Sequence, residues 1–95
     1  MRKLQELKII HWNCHNLTVS RCFELRDFLK KHEPDIVSLQ EIKLKLEDAN
    51  YLIRFDGFST YLKVRSLNPD RGGGVAVLIN ENISHTQIFD FDQNF

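Results

Sequence analysis

At 95 residues the chain can form at most one small domain with a limited core. A hydrophobic content of 42% and a charged content of 27% fit a globular chain and argue against disorder. The 13 Lys and Arg are matched by 13 Asp and Glu, so total charge does not decide on a nucleic-acid partner, which requires a basic patch rather than a basic sum.

The first residues, Met1 to Leu7, are charged and lack an apolar stretch, and no run approaches a membrane-spanning length, so neither a signal peptide nor a membrane partner is expected. Cys14 and Cys22 are too few for a disulfide-stapled small domain and read as reduced intracellular thiols. Together with His15 and His32 they form no zinc-ligand spacing.

Residues 7–13 read as a strand, with Leu7, Ile9, His11 and Asn13 on one face and Ile10 and Trp12 on the other. A polar loop leads to Thr18 or Ser20, either of which can cap a helix running to about His32. Its apolar stripe is Val19, Cys22, Phe23, Leu25, Phe28 and Leu29, and Lys30, Lys31 and His32 suit the negative end of the helix dipole. Pro34 expels Glu33 from the helical region and ends the helix.

Residues 36–40 form a short, nearly all-apolar strand of the kind covered on both faces. Residues 42–51 suggest a loop and one or two helical turns, and Gly57 to Val64 a third strand. Asn68-Pro69-Asp70 marks a turn within the loop 66–71, Gly74 to Ile79 is a fourth strand suited to a sheet centre, and a further β-like segment starts at Ser84. The fold class is therefore α/β (α+β): a β-α-β unit followed by mainly antiparallel strands in a mixed sheet. One helix covers one sheet face, and the other, carrying part of Val37, Leu39, Val75, Val77 and Ile79, has no cover of its own. The expected organisation is an N-terminal extension over 1–6 and an incomplete domain over 7–95.

Two strands end in groups able to do chemistry. Asn13 closes the first; its amide both donates and accepts, so it can orient a phosphate or carboxylate, or merely bond its own loop backbone. Glu41 follows the second; it can serve a hard cation such as Mg²⁺, or stand solvated beside Lys43 or Lys45. The helix between these strands allows both residues to return to one sheet end. His15 lies in the loop beside Asn13, whereas His11 is expected in the core or against a partner sheet. Arg71-Gly72-Gly73-Gly74 lacks the spacing of either common phosphate-binding loop and precedes a strand; its glycines suit positive φ and close strand entry, while Arg71 can touch a phosphate backbone.

Taken in order, Ile10-His11-Trp12-Asn13-Cys14, Pro34-Asp35-Ile36-Val37-Ser38-Leu39-Gln40-Glu41, Gly57-Phe58 and Arg71-Gly72-Gly73-Gly74-Val75-Ala76-Val77-Leu78-Ile79 resemble the N-terminal part of the endonuclease/exonuclease/phosphatase superfamily, the DNase I-like group. Within it the Trp-Asn-Cys and Gly-Gly-Gly-Val-Ala-Val-Leu segments are most similar to endonucleases of non-LTR (LINE-type) retrotransposons. The resemblance implies the N-terminal half of a four-layer α/β/β/α sandwich and hydrolysis of DNA phosphodiester bonds with Mg²⁺ or Mn²⁺. It implies Glu41 as the metal-binding glutamate and Asn13 as the catalytic asparagine that organises the metal-phosphate site. Apart from the resemblance, His15 in the loop beside Asn13 and the cations Lys43 and Arg71 are candidate substrate contacts. Arg65 and Lys45 are further possible backbone contacts.

The superfamily's later Tyr-bearing strand, Gly-Asp-x-Asn segment and Ser-Asp-His have no counterpart here, so the resemblance implies a fragment that is inactive alone and needs a C-terminal half for its second sheet. A retrotransposon enzyme would be intracellular and nuclear. Two other readings remain open: an apurinic/apyrimidinic endonuclease or other phosphoesterase of the same superfamily, and a small non-catalytic α/β binding module.

Overall fold

The computed structural model describes residues 7–63 and 73–83. The expectations for the N-terminal extension, the turn at 66–71 and the segment from Ser84 onward fall outside these residues. Six elements follow in chain order: β1 (Ile9–Asn13), α1 (Val19–His32), β2 (Ile36–Gln40), α2 (Leu46–Leu52), β3 (Phe58–Lys63) and β4 (Val75–Asn80). None of the described helices is long and apolar enough to cross a membrane.

The strands form one mixed sheet in the order β1-β2-β4-β3. β1 runs parallel to β2, with Ile9 opposite Ile36 and Asn13 opposite Gln40. β4 runs antiparallel to β2 and to β3. This is the expected α+β plan: a parallel pair joined by a helix, extended by antiparallel strands.

α1 begins where Thr18, in extended conformation, accepts the amide of Arg21 on its side chain at 3.2 Å. Thr18 is thus the cap, and Ser20 lies inside the helix. At the other end Glu33 adopts a left-handed conformation (φ 46°, ψ 56°) and donates its N–H to the Leu29 carbonyl, ending the helix before Pro34. The helix buries Cys22, Leu25 and Leu29, a narrower stripe than the spacing predicts. Val19 is 53% and Phe23 56% exposed, because helical spacing sets both to one side of the line through Cys22, Leu25 and Leu29; Arg26 stands over the Phe23 ring instead.

Strand alternation divides the sheet into two unequal faces. Ile10 and Trp12 of β1, Val37 and Leu39 of β2, Phe58 and Leu62 of β3, and Ala76 and Leu78 of β4 join the core under the helices. α2 closes this layer through Ala49 and the following Ile53, whose carbonyl accepts the Thr60 hydroxyl at 3.1 Å. The opposite face carries Ile9, Ile36, Val75, Val77 and Ile79, with Ile9 60% exposed. The expectation for that face is therefore corrected for Val37 and Leu39, which are fully buried on the helix side. For His11 only the core alternative is corrected: it stands exposed on the open face, the side on which a partner sheet is expected.

The end of the sheet nearest the chain start is tied by Asp35, which sequence reasoning passes over. Its carboxylate accepts the Lys8 amide at 2.7 Å, and its own carbonyl accepts the amide of Asn80 at 2.8 Å.

Candidate functional site

At the opposite end, the C-terminal ends of the parallel strands, the backbone departs from regular pairing. Cys14 donates to the Gln40 carbonyl, Asn16 to that of Glu41 and Leu17 to that of Ile42, at 2.8, 2.9 and 3.0 Å. The β1–β2 seam thus continues as a laced pair of loops after both strands have ended. Four residues of these loops, His15, Asn16, Glu41 and Lys43, adopt positive φ although none is glycine. Such conformations are costly for L residues and persist where the surroundings hold them, often at functional sites.

Asn13 and Glu41 meet in this region. The Asn13 side-chain amide donates from Nδ2 to Glu41 Oε2 at 2.5 Å, a charge-assisted contact. Its Oδ1 accepts the His15 amide at 3.2 Å, an Asx turn. The local role available to a strand-end Asn and the cross-strand role are therefore filled together: one oxygen shapes the loop while the nitrogen orients the carboxylate. Glu41 is half-buried, and its carbonyl is held by the Asn16 amide.

The other sequence-derived residues are placed unequally. The His15 backbone is beside Asn13 and its side chain is exposed. Lys43 is half-buried, its amide bonded to the Gly73 carbonyl at 3.1 Å. Lys45 caps α2 in position without a side-chain cap bond. Arg71 and Arg65 lie outside the described residues. A cavity of about 590 Å³ lined in part by Arg26, Lys30, Arg54 and Asn80 lies at the far end of the sheet and shares no residue with this group.

Arg21 is a contributor that sequence reasoning misses. Its guanidinium donates to the Cys14 carbonyl, bracing the loop that carries His15 and Asn16. The only sequence cue is a cation one turn into a helix that follows the loop, which is too common to single out. The two cysteines are buried and unbridged. Burial pushes the Cys14 thiol up to about 11 against a smaller opposing pull from Arg21, and raises Cys22 as well. Protonated, buried thiols make poor nucleophiles or metal ligands.

Among the described residues no group of three metal-ligating side chains comes together. The donors present are oxygens, a carboxylate and an amide. Such a set suits a hard cation, which binds through one or two carboxylates and keeps water or substrate oxygens in its other positions. It does not suit a self-sufficient metal cage.

Comparisons with known proteins agree with this architecture. The profile of the Endonuclease/Exonuclease/phosphatase family matches residues 10–95. No curated protein matches the chain in sequence. The AP endonuclease LMAP of Leishmania major superposes with a TM-score of 0.66 and 26% identity, over 78% of this chain and 24% of that one. The catalytic domain of Xenopus laevis APE2 follows at 0.61 and 25% identity, over 78% and 23%. The 3′ phosphatase NExo from Neisseria, bound to a product DNA hairpin, gives 0.58 and 27%, over 78% and 27%. The chain thus spans about a quarter of the length of these neighbours. With its mixed sheet, its helix-covered face and a family match over nearly all of its length, the protein belongs to the Endonuclease/Exonuclease/phosphatase family.

Proposed function

We propose that this chain is the N-terminal portion, residues 7–95 after a short extension, of a divalent-metal-dependent nuclease that hydrolyses DNA phosphodiester bonds. The Asn13–Glu41 hydrogen bond carries the reading: it places one oriented carboxylate at the C-terminal end of a parallel strand pair. Glu41 would hold Mg²⁺ or Mn²⁺, and Asn13 would fix the carboxylate's direction. The ion's contribution is Lewis-acid stabilisation of charge developing on the phosphate. His15, Lys43 and Arg71 are proposed as contacts to the DNA backbone.

The acid-base residues and the sheet that would cover Ile36, Val77 and Ile79 belong, on this reading, to a C-terminal half, and the 95-residue chain alone is inactive. The Trp12-Asn13-Cys14 and Gly73-Gly74-Val75 segments support a LINE-type retrotransposon endonuclease that nicks ordinary DNA in the nucleus. The structural neighbours support a second reading, an enzyme acting at abasic sites or 3′ phosphates.

One experiment separates the two. The full-length protein is incubated with intact supercoiled plasmid and with the same plasmid bearing abasic sites, in Mg²⁺, Mn²⁺ or EDTA. Nicking of intact plasmid that EDTA and Glu41→Gln abolish establishes the retrotransposon-type activity. Cleavage confined to abasic plasmid establishes the repair-type activity. Cleavage of neither, or cleavage indifferent to Glu41→Gln, overturns the proposal.

A further inference from the structure

Pairing between β2 and β4 slips by one residue at Glu41. Within the strands Gln40 stands opposite Val75 and Leu39 opposite Ala76. Continued in that register, Ile42 would face Gly73. Instead the Ile42 amide reaches the Gly74 carbonyl at 3.3 Å, and the Lys43 amide reaches that of Gly73 at 3.1 Å. The β2 side therefore holds one extra residue, a bulge, and the residue at the slip is Glu41 at φ 53°.

The slip decides where two side chains go. Val37 and Leu39 face the helices, so uninterrupted alternation would send Glu41 into the core and Ile42 to the open face. The reverse is found: Ile42 is fully buried in the core, and Glu41 turns out to Asn13. The exchange depends on room for Ile42. A Cβ added to Gly74, itself at φ 83°, would stand 2.9 Å from Ile42 Cγ1, closer than real Cβ atoms come.

We infer that Gly74 is a positioning residue for Glu41: by lacking a side chain it lets Ile42 occupy the core, and so holds the bulge that aims the carboxylate at Asn13. This deepens the proposed function, since it is that reading which gives the carboxylate a cation to hold. Gly57 provides an internal control, because it has nearly the same φ, 85°, with nothing within 4 Å of an added Cβ. Both Ala variants bear the cost of positive φ, and only Gly74→Ala presses on Ile42.

The test compares the full-length protein with Gly74→Ala, Gly57→Ala and the double variant Gly74→Ala/Ile42→Ala. The first readout is the Asn13 side-chain amide signal by NMR in metal-free protein, and the second is Mn²⁺ affinity by titration. Gly74→Ala is expected to move the Asn13 signal and weaken Mn²⁺ binding about tenfold, in the range for loss of a residue that orients a ligand. Gly57→Ala should change neither readout, and the double variant should restore the signal and bring affinity back to within about threefold of wild type. An Asn13 signal unmoved by Gly74→Ala, or a double variant that restores nothing, overturns the inference. Should Gly74→Ala fail to fold, the double variant decides by its Asn13 signal: a native signal supports the role of Ile42, and a displaced one refutes it. If Glu41→Gln leaves Mn²⁺ binding unchanged, the metal reading falls, while the NMR comparison still decides the role of Gly74.

Discussion

Asn13 and Glu41, 28 residues apart in the chain, share a hydrogen bond of 2.5 Å at the adjoining ends of two parallel strands. The bond exists because β1 and β2 stand side by side in register and because the backbone at Glu41 leaves its strand conformation. Neither condition alone would suffice: in register but without the bulge, alternation would turn the carboxylate toward the helices.

The two bonds of Asn13 can be separated by substitution. Asn13→Asp keeps an oxygen for the His15 amide but sets a second carboxylate against Glu41. Asn13→Ala loses both bonds without adding charge. In metal-free protein both variants should lose stability by about 1 kcal/mol or more, with Asp the worse through like-charge repulsion. Mn²⁺ should recover Asp, which gains a second ligating carboxylate, and not Ala. Thermal unfolding with and without Mn²⁺ checks the crossover, and equal response of the two variants would contradict it.

Thr18 rather than Ser20 caps α1, so their removal should be unequal. Thr18→Ala leaves the Arg21 amide without its side-chain acceptor and should cost about 1 kcal/mol. Ser20→Ala, inside the helix and exposed, should stay within about 0.5 kcal/mol of wild type. Urea denaturation of the two variants measures the difference.

The Cys14 thiol supplies an alkaline limit to stability. Its folded pKa, about 11, lies above the ordinary value of 9.0 because burial disfavours the thiolate. Between those values the unfolded chain releases the proton while the folded protein keeps it. The contribution is therefore fully present below pH 9 and is lost as pH rises toward 11, by on the order of 2 kcal/mol. Denaturation from pH 8 to pH 11 should show a decline that Cys14→Ala reduces.

The two sheet faces should respond oppositely to truncation. Leu78→Ala opens a cavity in a fully buried site and should cost about 2–5 kcal/mol. Its neighbour Val77 faces away, so Val77→Lys in the isolated 95-residue chain should leave stability nearly unchanged and reduce self-association through the uncovered apolar face. Sedimentation at several concentrations reports the second effect, and a core-sized loss on Val77→Lys would disprove the face assignment.

The chain's alternation of Ile10 and Trp12 against Ile9, His11 and Asn13, the stop at Pro34 and the need for glycine ahead of Val75 are local properties, set by side-chain period and backbone sterics within a few residues. They make the element order, the mixed sheet and the strand-end positions of Asn13 and Glu41 readable directly. The breadth of the α1 stripe is misread at Val19 and Phe23 because apolar spacing marks which side chains could face a sheet, while only those aligned with Cys22, Leu25 and Leu29 reach it. Likewise Val37 and Leu39 carry no mark of which face the helices cover; only the packing of Cys22, Leu25 and Leu29 decides it. The direction of Glu41 is settled still further from the local chain. It rests on Gly74 admitting Ile42, on Asn16 holding the Glu41 carbonyl and on Asn13 meeting the carboxylate. The sequence by itself determined which groups stand at the strand ends, because that follows from period and caps. Only the tertiary structure decided where they point, because a one-residue slip in strand pairing is fixed by contacts among residues that sequence order keeps apart.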